Sequence, residues 1–265
     1  MGGYETIRYE IDASADAPVA VIRLARPEKM NAMNRAMRLE LGDAFARAGA
    51  EARALLITGA EAEGFKPAFC AGQDLEDVRA SDLRKTLDEE YGPAFRGLIE
   101  LPIPSVAAVN GAAAGAGAHL AMCADICFAA RSAKFVEPFA RLGLIPAGTG
   151  SYWLPRRVGM ARALGMTLLG EPLAAEQAEE WGLIWRAVDD AALWEVSEAT
   201  ANRLAAGPTA GFRLTKEALR ASPTNDLSAQ LALERELQGE ASDTADYAEG
   251  VQAFLEKRPP RFEGR

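Results

Sequence analysis

Histidine is almost missing from this chain. A single imidazole, His119, serves 265 residues, so proton chemistry based on histidine has one address and no metal site is expected. Cysteine is also scarce. Cys70, Cys123 and Cys127 are odd in number, widely spread and form no Cys-x-x-Cys pair, which excludes a disulfide framework and fits a reducing cytoplasm. Positive charge is in deficit: 29 Lys and Arg face 38 Asp and Glu, for a net charge of −9. No nucleic-acid partner is expected, because phosphate binding needs a field of cations that this balance does not supply. MGGYETIRYE lacks the apolar run of a signal peptide. Residues 101–124 contain no charged side chain, yet they are mostly Ala and Gly, carry Pro102, Pro104, Asn110 and His119, and run directly into Asp125. They are long enough for a membrane window but too polar and too broken for a span, so no membrane partner is expected.

About half of the residues, 49%, are hydrophobic, which at this length suits one substantial core with a smaller appendage. YETIRYEI (4–11) and APVAVIRLA (17–25), joined by DASAD, read as a hairpin. Met37, Leu41 and Phe45 recur at helical spacing and predict a helix over 35–48. RALLITG (53–59) has the pattern of a short buried strand, then comes a long loop, then a helix from Leu75 with Asp74 as N-cap. IPSVAAVNG (103–111) repeats that plan and leads through a Gly-rich turn into a helix carrying His119. DICFAA (125–130), AKFV (133–136) and LIWRAVD (183–189) read as strands; helices are predicted over 150–169, 174–181 and most of 190–256. Strand–helix units first and helices last indicate an α/β core with a helical extension.

Two glycine-marked turns stand out, FCAGQDL (69–75) and NGAAAGAG (110–117). Each places small residues before a helix start, where unpaired N–H groups and the helix dipole favour an anionic oxygen. If they converge, the two could grip one carbonyl oxygen; taken singly, each is equally an ordinary strand–helix turn. A dinucleotide-binding reading of Gly115-Ala116-Gly117 fails on its third glycine, since Leu120 stands there. A Cys70–His119 nucleophile pair has no orienting partner in sequence.

Taken in order, RPEKMNAMN, AFCAGQDL, PSVAAVNGAAAGAGAHLAMCADICFAARSAKFVEPFARLGLIPAGTG, EPLAAEQAEEWGLIWRAVD and FLEKRPPRF resemble the crotonase, or enoyl-CoA hydratase/isomerase, superfamily. The resemblance covers nearly the whole chain. It implies a crotonase-like ββα spiral core over residues 1–200, with a C-terminal helical trimerisation region over 201–265, assembled as a homotrimer or a hexamer of stacked trimers. It implies that the two turns form an oxyanion hole for an acyl-CoA thioester, through the backbone N–H of Gln73 and of Ala116 or its neighbour Gly117. Coenzyme A would arrive as part of the substrate, with no separate cofactor, along Arg26, Lys29, Ala71, Asp74 and Leu75. Phe254 and Lys257 match positions that reach a neighbouring subunit's nucleotide.

Hydratases of this superfamily use two glutamates, and the matching positions here hold His119 and Phe139. That argues against ordinary hydration, which needs an acid/base pair around one water. The local wording most resembles the ring-1,2-epoxyphenylacetyl-CoA isomerase group, although the aspartate usual after Ile-Pro is replaced by Ala147. His119 and Glu137 remain as candidate proton carriers, since imidazole takes and returns a proton near neutral pH. His119 could equally be a packed core residue, and Glu137 could point outward or pair with Arg141. The reading is an acyl-CoA isomerase; the alternatives are a hydratase or lyase, and a silent acyl-CoA-binding or assembly protein.

Overall fold

The computed structural model describes residues 3–13, 17–78 and 82–264. Two sheets form its frame. The larger has the order β1 (Ile7–Asp12), β2 (Val19–Leu24), β3 (Ala54–Gly59), β5 (Ser105–Val109), β7 (Ile126–Ala130) and β10 (Arg186–Val188). β1 and β2 pair antiparallel, with Ile7 opposite Leu24, as the hairpin pattern predicted; the central residues 14–16 of its connection lie outside the described residues. Every later pairing in this sheet is parallel. ALLITG and SVAAV are buried at every position, the continuous apolar run of strands covered on both faces.

The smaller sheet has the order β4 (Ala68–Cys70), β6 (Ala112–Ala114), β8 (Lys134–Val136) and β9 (Leu173–Ala174). Each turn of the chain therefore lays one strand in the large sheet, one in the small sheet, and then helix. β3, β4 and the helical segments between Leu75 and Ile99 make one such turn. β5, β6 and the helix Ala116–Cys123 make the next, and β7, β8 and the helices over 150–169 a third. This is the ββα spiral that the resemblance implied.

Three expectations are amended. The loop before Asp74 contains β4, and the Gly-rich turn after Asn110 contains β6; three-residue strands are too short to show a period of two. The helix expected over 150–169 is two helices, Gly150–Val158 and Met160–Leu169, parted at Gly159. The segment after Leu75 is a series of short helical pieces, ending in Gly92–Ile99, and its residues 79–81 lie outside the described residues.

The last helices are Leu193–Ala205, Thr209–Ala221, Leu227–Ser242 and Ala245–Glu256. The first of them packs on β3 and β5 and contains residue 200, and the helices from Thr209 onward follow it. A polar latch joins these later helices to the core. Lys216 Nζ donates to the carbonyls of Leu101 (2.8 Å) and Ile103 (2.7 Å) and pairs with Asp125. Arg220 takes the other Asp125 oxygen at 2.6 Å. Burial lowers the Lys216 pKa, against the opposing pull of Asp125. Among the described residues, no helix is long and apolar enough to cross a membrane.

Candidate active site

Strand β4 ends at Cys70, and the chain then turns through Ala71 and Gly72. Gly72 has φ of +91°, and a Cβ on it would fall 2.6 Å from the Ala114 carbonyl oxygen and 3.4 Å from the Ala116 nitrogen. Glycine is thus required there for both dihedral and space, and the two glycine-marked turns do converge. Met33 runs alongside: its N–H donates to Gly72 O (2.7 Å), and Asp74 N–H donates to Met33 O (3.0 Å). This ladder engages the residues on either side of Gln73 and leaves the Gln73 N–H outside it. Ala116 opens the helix Ala116–Cys123, where a first-turn N–H has no partner within the helix and the dipole is positive. Such a pair of backbone donors can hold an oxygen on which negative charge develops.

His119 lies one turn into that helix, fully buried, with its N–H bonded to Gly115 O at 3.0 Å. Its Nε2 lies 3.0 Å from Glu137 Oε2, and the two side chains are 0% and 1% exposed. The two residues singled out as proton carriers are therefore one buried pair. Glu137 follows β8 directly, and Val136 O accepts the Gly115 N–H at 2.8 Å, which seats the carboxylate beside the Ala116 turn. Glu137 does not point outward or pair with Arg141; the Arg141 guanidinium donates to Gly170 O at 2.9 Å instead. Phe139 stacks on the imidazole, with ring centroids 5.4 Å apart. Gly150 closes the other side, because a Cβ there would lie 2.1 Å from His119 Nε2. Among the described residues, His119 Nδ1 has no hydrogen-bond partner. A neutral ring donating Nε2–H to a carboxylate leaves only a lone pair unmatched, which costs less than an unmatched N–H.

The other candidate residues divide by role. Arg26 is spent on the protein: Nη1 donates to Ala32 O (2.6 Å) and Nη2 to Asp74 Oδ2 (2.8 Å). Its guanidinium thereby clamps the turn that carries Gln73. Burial opposes ionisation of Asp74, but the bonds from Arg26 and the Glu76 N–H outweigh it and hold the carboxyl below its usual range. Asp74 also accepts the Glu76 N–H at 3.1 Å, as its N-cap assignment required. Ala71 N–H is taken by Met30 O at 3.0 Å. Lys29 and Leu75 are exposed beside this turn, Lys29 in a surface pair with Glu76. Phe254 is 83% exposed and Lys257 caps the last helix in a left-handed conformation. The groove that Phe254 lines with Pro208, Tyr247 and Phe262 contains neither oxyanion turn.

Cys70 is not a nucleophile. Burial pushes its thiol up to about 12 against the opposing pull of the Gly72 N–H, 3.4 Å from the sulfur, which disfavours the thiolate needed for attack. A cleft of about 590 Å³ opens where the helix Gly92–Ile99 meets the 148–153 segment, lined by Tyr91, Phe95, Thr149 and Trp153 among others. Its lining includes none of Gln73, Ala116, His119 and Glu137. A larger cleft of about 680 Å³, at Arg23, Asn110 and Trp194, holds none of the candidate site residues.

Three residues of the site were not visible in sequence. Thr149 carries no signal in the sequence, and Gly150 reads only as the start of a predicted helix. Thr149 has φ of +83°, an outlier for a β-branched residue of the kind that clusters at working sites, and it delivers Gly150 onto the imidazole. Arg38 reads as the polar face of a helix but is 2% exposed; only its place beside the apolar Met37 and Leu41 could have hinted at burial.

Comparison with known proteins gives the family. The family model described as enoyl-CoA hydratase/isomerase matches residues 14–265. A Rhodobacter capsulatus protein named "probable enoyl-CoA hydratase" is 53% identical over 264 residues, 99% of each chain. The 1,2-epoxyphenylacetyl-CoA isomerase of Escherichia coli is 47% identical over 255 residues, covering 93% of this chain and 95% of that one. Among solved structures, an enoyl-CoA hydratase from Bacillus anthracis superposes with a TM-score of 0.89 at 31% identity, covering 97% of this chain and 99% of that one.

Proposed function

Because this chain belongs to the enoyl-CoA hydratase/isomerase family, we propose that it is an acyl-CoA isomerase that shifts a double bond or rearranges a ring epoxide through a thioester enolate. The observation that carries this reading is the buried His119–Glu137 pair beside the converging Gln73 and Ala116 turns. The Glu137 carboxylate takes a proton from carbon next to the thioester. The electron pair left behind moves onto the thioester oxygen, held by the N–H groups of Gln73 and Ala116. The proton then returns to another carbon, and no water enters the product. His119, walled in by Phe139 and Gly150, orients the carboxylate and shares its proton. Phe139 stands where a hydratase carries its second glutamate, so a second carboxylate to activate water is missing from that position. The 47% identity to the E. coli isomerase supports this choice.

A second reading, an enoyl-CoA hydratase, is favoured by the printed name of the Rhodobacter relative. The products separate the two. Incubation with 2-enoyl-CoA, 3-enoyl-CoA and an aromatic epoxide thioester, followed by mass spectrometry, gives an isomer of unchanged mass for an isomerase. A 3-hydroxyacyl product heavier by one water identifies a hydratase, and unchanged thioesters identify a silent binding protein. We also propose assembly into trimers. Met160, Leu164 and Leu168 are spaced along one stripe of the helix Met160–Leu169 and are 63%, 48% and 69% exposed, an apolar face suited to a partner.

A further inference from the structure

Arg38 is a buried cation that nothing above employs. It lies on the helix Arg35–Glu51, and its guanidinium is 1% exposed. All three nitrogens are engaged, and Nη2 also meets the Glu90 oxygen that Nε holds, at 2.6 Å. Nε donates to Glu90 Oε2 (2.7 Å), Nη1 to Met33 O (2.9 Å) and Nη2 to Asp77 Oδ2 (2.7 Å). Burial works against its charge, but the Asp77 and Glu90 carboxylates more than restore it.

What these three partners do gives the fork its meaning. Met33 is the residue that pairs with Gln73, and the carbonyl that Arg38 grips is the one that also takes the Asp74 N–H. Asp77 belongs to the short helix Leu75–Val78 that follows Gln73 directly. Glu90 sits in a π-helical turn, Leu87–Tyr91, ahead of the helix that walls the cleft of about 590 Å³, which would receive the acyl chain. The guanidinium also lies over the Tyr91 ring, 5.0 Å from its centroid. One rigid planar group thus fixes the strand beside the Gln73 turn, the helix after it and the wall of the cleft. Lysine, a single point charge, cannot satisfy three partners in this fixed geometry.

We propose that Arg38 is a positioning residue for the oxyanion hole: it sets the Gln73 N–H relative to the thioester oxygen and ties that setting to the acyl cleft. The inference rests on the reading that Gln73 N–H holds the thioester oxygen. It touches no substrate atom, so its effect is on how well the donor is aimed. A misplacement remote from the chemistry can cost roughly a hundredfold in rate.

The test uses the full-length protein with cinnamoyl-CoA, whose conjugated thioester carbonyl reports polarisation by a lower C=O stretching frequency in difference Raman spectra. The wild-type protein is expected to lower that frequency on binding. Arg38→Lys is expected to lose most of the shift and, with 3-enoyl-CoA as the turnover substrate, about ten- to a hundredfold in kcat, with KM little changed. Asp77→Ala removes one arm of the fork from a side chain that is 27% exposed and is expected to lose part of the shift; it carries the test if the lysine variant does not fold. Folded variants with the full wild-type shift and kcat would overturn the role of Arg38, leaving that residue merely structural. Absence of any shift in the wild-type protein would instead overturn the oxyanion reading beneath it.

Discussion

At the scale of single residues, the chemistry turns on contacts that no local pattern announces. His119 was conspicuous as the one imidazole, and its place in the helix after the second turn was legible from the strand–turn–helix pattern around it. Its partner was nameable only as a candidate, because Glu137 Oε2 reaches His119 Nε2 through the pairing of β6 with β8. Gly150 was not legible at all: its importance comes from the space the ring occupies, a tertiary fact. Substituting Gly150→Ala puts a methyl group 2.1 Å from Nε2, so either the ring or the 148–150 segment must move. We expect a loss of about 1–3 kcal/mol in stability, the usual cost of overpacking, and at least a tenfold fall in kcat. Urea melts and steady-state kinetics on the same preparation check both, and an unchanged kcat would show that the ring's position is not tied to turnover.

Among elements, legibility followed length and burial. The hairpin and the helix Arg35–Glu51 announced themselves through alternation and helical spacing. β4 and β6 could not, since three residues are too few to define a period and AAA at β6 has the composition of a helix, whereas the equally short β8 was read from AKFV. Their pairing is set by the large sheet, which brings successive turns of the spiral into register. The latch between elements was equally silent: Asp125 reads as the polar start of a strand, yet it holds Lys216, Arg220 and both Ser105 donors. Replacing Asp125 with Ala leaves two poorly hydrated cations unpaired. The expected cost is about 3 kcal/mol or more, read as a lowered urea midpoint, and a midpoint equal to wild type would mean that water replaces the carboxylate without loss.

For the molecule as a whole, the ordered motifs carried the family, and the fold followed from it. The acid/base assignment did not, because the positions that distinguish hydratase from isomerase hold His119, Phe139 and Ala147. Three-dimensional packing places the Glu137 carboxylate 3.0 Å from the His119 imidazole. The account centres on that pair moving a proton. Its most direct test is solvent exchange in D2O, with unsaturated acyl-CoA and detection of deuterium at the carbon next to the thioester. The wild-type protein is predicted to incorporate deuterium, and a folded Glu137→Gln variant to do so about a hundredfold or more slowly while still binding the thioester. Exchange by that variant at the wild-type rate would contradict the account.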